Sequence, residues 1–186
     1  MWPQTIKYLK QPVFENEKIK QAVLKQNQKM KKKHFFSEEK LFLGQYFCRE
    51  IEKGLSRKLA LKPVSSVIGL GVFALEKIAH NSFVTEFTGI IRKRRWRLVR
   101  HNMYLMRYPN AEPGEESYTI DAEKDGNFSR FINHSFDPNL DIVSVYYQEQ
   151  VRVLLLALKD IEIGEQLTCN YGDDYWHGLA KKVRPL

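Results

Sequence analysis

Three short stretches of this chain hold residues whose types and spacing suit chemistry. Gly69-Leu70-Gly71 offers bare backbone that a ligand can approach closely. It is not the dinucleotide-binding fingerprint, because the third glycine and the β-α-β context are missing. Gly126-Asn127-Phe128-Ser129-Arg130-Phe131-Ile132-Asn133-His134-Ser135 gathers a guanidinium, an amide, an imidazole and hydroxyls into one run. Gly164-Glu165-Gln166-Leu167-Thr168-Cys169-Asn170-Tyr171-Gly172 adds a thiol and a phenol near the C-terminus. Taken singly, each has a bland reading: a turn glycine, a buried structural histidine at His134, a core tyrosine at Tyr171.

In this order the three stretches resemble the SET-domain family of protein lysine methyltransferases, over roughly Val64 to Trp176. The resemblance implies S-adenosylmethionine as cofactor. It assigns cofactor binding to Gly69, Leu70, Gly71, Arg130, Phe131, Asn133, His134, Tyr171 and Trp176, and catalysis to Tyr171. Tyr104 resembles a second catalytic tyrosine, with Tyr118 as the alternative for that role. Phe87, Tyr104, Tyr118, Cys169 and Tyr175 are the expected substrate channel. Tyr175 and Trp176 either close the pocket or belong to the core. Cys169 stands where many members have Tyr or Phe, which leaves room for di- or trimethylation. Phe136 replaces a usual cysteine, Asn170 a usual Asp, and Phe87 stands where Glu-Tyr-x-Gly is common.

The chemistry explains these types. Methyl transfer from a sulfonium to an amine is an in-line displacement, so alignment carries most of the catalysis. The lysine must be neutral, which desolvation and a nearby positive charge both favour. A fixed hydroxyl can orient the amine and meet the redistributing charge.

Two cysteines, Cys48 and Cys169, are too few for a zinc cluster or a disulfide framework, so no metal is expected. In this the chain is similar to the compact SET proteins of viruses and bacteria, which implies a possible effector role. At 43% hydrophobic and 12% aromatic it can build a sizeable core. No apolar run approaches the ~20 residues of a membrane helix, and Met1 to Lys10 lacks a signal-peptide pattern. The expected location is intracellular: nucleoid or cytoplasm of its own cell, or a host nucleus after export.

Charge is uneven. Residues 1–63 hold 15 Lys/Arg against 6 Asp/Glu, and residues 92–107 hold seven basic residues and no acid. These runs suit phosphates, and so DNA contact through the basic N-terminus, or are solvated helix faces. The acids of 112–125 suit the approach of a Lys-rich substrate such as a histone tail or histone-like protein, or are loop charges. A homodimer through the 13–58 helices is a further possibility. The rival reading is a chromatin or nucleic-acid-binding module on an inactive SET scaffold; survival of Tyr171, Asn133 and His134 argues for the enzyme.

These residues need a scaffold. Apolar spacing predicts a helix over 13–33 and another from Ser37 to about Lys58, together a helical extension of residues 1–62. Short β-branched runs at 71–75, 82–87, 142–147 and 151–157 predict strands in a catalytic domain of 63–176, with Gln148-Glu149-Gln150 as a hairpin turn. Residues 92–107 read as a basic helical insert and 177–186 as a tail. The fold class is mainly β with a helical N-terminal extension. The SET resemblance implies several small sheets around a pseudoknot-like threaded crossing at the active site.

Overall fold

The computed structural model describes residues 2–95, 102–172 and Tyr175. Thirteen strands and three helices follow in order. They are β1 (Lys7–Tyr8), β2 (Val13–Phe14), α1 (Glu17–Lys32), α2 (Glu38–Tyr46), α3 (Cys48–Lys53), β3 (Leu59–Ser65), β4 (Gly69–Ala74), β5 (Phe83–Glu86), β6 (Ile90–Lys93), β7 (Leu105–Tyr108), β8 (Tyr118–Asp121), β9 (Asp125–Gly126), β10 (Asn133–His134), β11 (Leu140–Tyr147), β12 (Gln150–Ala157) and β13 (Gln166–Cys169). A 3-10 turn, Phe128–Phe131, lies between β9 and β10.

The strands form three sheets. The largest runs β3-β4-β13-β11-β12-β5, with β10 added on β13; the second runs β2-β6-β8-β7; the third pairs β1 with β9. The expected hairpin is β11–β12, and its turn residues Gln148 and Glu149 both have positive φ, as a two-residue turn between twisted strands requires. Among the described residues no helix is long and apolar enough to cross a membrane.

The N-terminal third departs from the expected pair of long helices. Val13 and Phe14 are not helical; they pair in parallel with Ile90 and Ile91. The helix waits for Asn16, whose side chain accepts from the Ile19 amide at 2.9 Å and so caps α1. Ser37 does cap α2 as expected, but the second helix breaks at Phe47. That break turns Phe47 and Ile51 onto Phe83, Val145 and Leu154, a small core of their own. Gly54 ends α3 in the left-handed region at φ 56, and a Cβ there would sit 2.6 Å from the Lys10 carbonyl oxygen. β3 then runs across residue 62, and β1 and β2 join sheets formed by later residues. The described ends of the expected 92–107 helical insert are strands. Arg92 and Lys93 finish β6, and β7 carries 105–108, both laddered on β8. β-branched Ile90 and Ile91 and a partner on each side of β8 outweigh the helical charge pattern. Residues 96–101 lie outside the described residues.

A buried polar knot fixes α1 to the sheets. Asn27 donates to the Glu149 carbonyl at 2.8 Å and accepts from Asn110 at 2.8 Å. The Tyr108 hydroxyl, 3.4 Å from Asn27, accepts the Val151 amide at 2.9 Å. Burial pushes the Tyr108 phenol up to about 12. On the neighbouring strands Arg152 grips Glu86 through two contacts of 2.5 and 2.7 Å, both residues buried. Replacing Asn27 with Ala strands these partners in a dry interior. The expected loss is about 2–3 kcal/mol of unfolding free energy, measured by urea titration.

Candidate active site

β13 is the strand that delivers the site. It pairs antiparallel with β4, in parallel with β11 at Leu140, and in parallel with β10 at Asn133 and His134. Asn139, just before β11, clasps it with side-chain hydrogen bonds. Its amide donates to the Gln166 carbonyl at 2.8 Å and to the Glu165 carboxylate at 2.9 Å, and its oxygen accepts the Thr168 amide at 2.9 Å. β13 thus joins β4, β11 and β10 at one place, among the small sheets expected from the resemblance.

Beyond Cys169 the chain meets the 132–135 segment again. Ser135 donates its amide to the Cys169 carbonyl at 3.1 Å. The Tyr171 amide donates to His134 Nδ1 at 3.2 Å, and the Tyr171 hydroxyl donates to the Ile132 carbonyl at 2.7 Å. Tyr171 is therefore held at both ends by one short segment. Burial raises its phenol above the ordinary value, with smaller contributions from Cys169, Tyr175 and Tyr104. His134 acts as an acceptor that fixes the turn. Tyr175 packs edge-on against Tyr171 at 4.7 Å between ring centres. Burial also raises the Tyr175 phenol, with Tyr104 adding to it. Cys169 is buried, and that burial pushes its thiol up to about 12.

The glycine pair opens β4 beside this segment. Asn133 donates to the Leu70 carbonyl at 3.1 Å. A Cβ on Gly71 would lie 2.7 Å from Val64 Cγ2, 2.8 Å from Gln166 Nε2 and 3.2 Å from Asn133 Nδ2, so only glycine lets these strands approach. Arg130 is buried with its guanidinium against two rings, 4.1 Å from the centre of Tyr104 and 4.4 Å from that of Phe131. Its Nε donates to the Ala122 carbonyl at 2.6 Å and Nη2 to the Glu123 carbonyl at 3.1 Å. Behind Phe131 stands Trp2, edge-on at 5.6 Å.

The structure thus gathers Asn133, His134, Tyr171, Tyr175, Cys169, Tyr104, Arg130 and Phe131, with Gly69, Leu70 and Gly71 alongside. Tyr118 stands apart. It is buried in β8 facing α1, and its hydroxyl donates to Glu116 at 2.7 Å; of the two candidate tyrosines, Tyr104 is the one near Tyr171. Phe87 is buried in the main core, its amide on the Val153 carbonyl. Trp176 lies outside the described residues. Four of the six acids expected to attract substrate are engaged elsewhere: Glu112 pairs with Lys33, Glu115 with Lys29, Glu116 with Lys93 and Asp121 with Arg92. A groove of about 840 Å³ between α1 and β8 is lined by Lys29, Lys33, Glu115 and Glu116 with their neighbours and holds none of the clustered residues. Sequence reasoning read Pro138-Asn139 only as a continuation of the family pattern and gave Asn139 no role. Nor did it find the Ile132 carbonyl, which no side-chain pattern can reveal.

The SET domain family model matches residues 69–172. The chain belongs to the SET-domain family. It is 35% identical over 134 residues to "Histone-lysine N-methyltransferase SUV39H1" of Xenopus laevis, covering 66% of this chain and 31% of that protein. It is 32% identical over 142 residues to "Histone-lysine N-methyltransferase EZH2" of Chaetomium thermophilum, covering 72% and 9%. Among solved structures it resembles a chain of an active polycomb repressive complex 2 in the basal state. That likeness has a TM-score of 0.60 and 33% identity, over 67% of this chain and 16% of that one. The chain spans a third or less of these relatives' lengths.

Asn139 is expected to be a stability residue of the site. Asn139→Ala removes three hydrogen bonds that hold β13, a loss of about 3 kcal/mol, read by denaturant titration. Amide exchange should show the loss of protection at Thr168.

Proposed function

We propose that this chain is an S-adenosylmethionine-dependent protein lysine N-methyltransferase acting on a histone or a histone-like basic protein. The observation that carries the reading is Tyr171, fixed between the Ile132 carbonyl and His134 at the crossing of β13 with β10. The same 132–134 segment reaches the Gly69–Gly71 backbone through Asn133, which donates to the Leu70 carbonyl. The names of the SUV39H1 and EZH2 relatives support the reaction and the substrate class.

The residues present fit the cofactor. Half-buried Asn133 and His134, bare backbone at Gly69–Gly71 and the Tyr171 phenol together offer amide, carbonyl and hydroxyl groups for an amino acid and a base. When bound, S-adenosylmethionine supplies an electrophilic methyl on a sulfonium. The chain's own residues do the rest. Tyr171, Tyr175 and Tyr104 form an aromatic wall that strips water from an entering lysine. Desolvation favours the neutral amine, whose lone pair makes the new bond. Ile132, with a second lone pair on its carbonyl, and Tyr171 hold polar contacts where charge is redistributed. Small, buried Cys169 leaves room for an amine that already carries methyl groups.

Recruitment is a separate matter. Lys18, Lys25 and Lys32 recur every seventh residue on the exposed side of α1, a stripe suited to phosphates. It supports substrate recruitment on DNA in chromatin, and so action where chromatin is.

Labelled methyl transfer to core histones tests the reaction. Tyr171→Phe should lower the rate by at least about 100-fold, with a much smaller loss of cofactor affinity by calorimetry. Transfer that survives this substitution sinks the assignment. Since burial raises the Tyr171 phenol, its hydroxyl stays protonated where an ordinary tyrosine ionises. The rate should therefore climb with pH and show no falling limb below pH ~10. Charge reversal of Lys18, Lys25 and Lys32 should reduce DNA affinity and flatten its salt dependence by about three in log–log slope; an unchanged slope removes the recruitment idea. Deleting α1 is no substitute test, because Val23, Asn27 and Met30 are buried in the fold.

A further inference from the structure

The turn that carries Phe131 is held from two sides. On the inner side Asn127, which is buried, accepts the Ser129 amide at 2.9 Å and donates to the Glu86 carbonyl at 2.9 Å. The outer side is held by residues 2–9. The Lys7 amide donates to the Lys124 carbonyl at 3.1 Å and the Leu9 amide to the Gly126 carbonyl at 2.8 Å, so β1 lies along β9 as a strap. Ahead of β1 the chain folds back on itself. The Ile6 amide donates to the Pro3 carbonyl at 3.1 Å, and the Trp2 indole Nε1 donates to the Ile6 carbonyl at 2.6 Å. This turn sets the partly buried Trp2 ring edge-on against Tyr8 at 4.9 Å and against Phe128 and Phe131 at 5.6 Å each. Edge-to-face pairs are directional, so they fix a ring's tilt as well as its place. The four-residue 3-10 turn Phe128–Phe131 has poor hydrogen-bond geometry of its own and depends on such neighbours for its shape.

Phe131 leads directly into Ile132. The Ile132 amide closes the turn on the Ser129 carbonyl at 3.2 Å, and the Ile132 carbonyl accepts the Tyr171 hydroxyl at 2.7 Å. That carbonyl is aimed by the backbone on either side of it. Downstream, β10 is fixed by its pairing with β13. Upstream, the turn is what fixes it. We propose that Trp2 is a positioning residue: through Phe131 it holds the Ile132 carbonyl in place, and with it the Tyr171 hydroxyl, for methyl transfer. The proposal rests on the methyltransferase reading.

The experiment compares wild type with Trp2→Ala at a temperature where both are folded, by labelled methyl transfer to core histones at saturating S-adenosylmethionine. kcat should fall about tenfold, since small misplacements of aligned groups are costly, while KM for the histone changes by less than about twofold. Trp2→Phe, which keeps a ring edge for Phe131, should recover most of kcat. In the Tyr171→Phe background the hydroxyl is gone, so Trp2→Ala should cost nothing further. An unchanged kcat, or the same cost in both backgrounds, would overturn the proposal while leaving the enzyme assignment standing. The second readout needs no activity. Amide exchange in Trp2→Ala should speed up at Ile132 and keep the wild-type rate along β12, inside the largest sheet. A uniform loss of protection would mean that Trp2 only stabilises the fold, and overturns the proposal. A wild type that transfers no methyl to any histone, while exchange at Ile132 still answers to Trp2, overturns the methyltransferase reading and this role with it. Should Trp2→Ala fail to fold, Trp2→Leu, which keeps apolar bulk without a ring, makes the same comparisons.

Discussion

The placement of β13 is the constraint on which the site depends. Four residues, Gln166–Cys169, must satisfy partners from three places in the chain: β4 on one side, β11 and β10 on the other. β10 is only two residues long and cannot hold the strand by its own ladder. Asn139 makes up the deficit, because an amide side chain can act as both donor and acceptor toward main chain. Once β13 is fixed, Tyr171 follows within two residues, and its position is set by the Ile132 carbonyl and the His134 imidazole. A tyrosine anchored in this way has little freedom left, which is what an alignment-driven reaction needs.

The N-terminal segment is part of the same construction. α1 carries Asn27 and Met30 into the main core, and Asn27 ties β7, through Tyr108 and Asn110, to the β11–β12 turn. β7 begins one residue after Tyr104. At the other end of the segment, Trp2 packs on Phe128 and Phe131, the turn that presents Arg130. The site is therefore braced from behind by residues that precede it by more than a hundred positions. Such contacts pack the N-terminal segment and the SET domain around a shared core.

This also marks where the sequence was readable. The motif residues were legible because glycine spacing, Asn133-His134 and Tyr171 are local patterns, and the structure brings them together. The hairpin at 148–150 was legible because both flanking runs are β-branched. The short strands β1, β2, β9 and β10 were not, since two residues carry no periodicity and owe their form to a distant partner. The 92–107 run misled because its charges are spaced like a helix face, while Ile90 and Ile91 had a sheet waiting for them. Tyr118 was a fair alternative to Tyr104 from sequence alone. Only the register of β8 against β6 and β7 turns it toward α1 and away from Tyr171.

Electrostatics completes the picture by separating attraction from chemistry. The acids at 112–116 look from sequence like a lure for lysines, yet they neutralise Lys29, Lys33 and Lys93 and so fasten α1 to the second sheet. At the clustered site the described side chains are aromatic rings, amides, an imidazole and one guanidinium, with no carboxylate paired to it. Loss of the amine's proton is favoured where water is removed from around it. Rings can still greet the arriving charge through their faces and then favour its loss as water leaves. The aromatic surface of Tyr171 and Tyr175 thus suits the neutral amine, the only form of lysine whose lone pair can accept a methyl group.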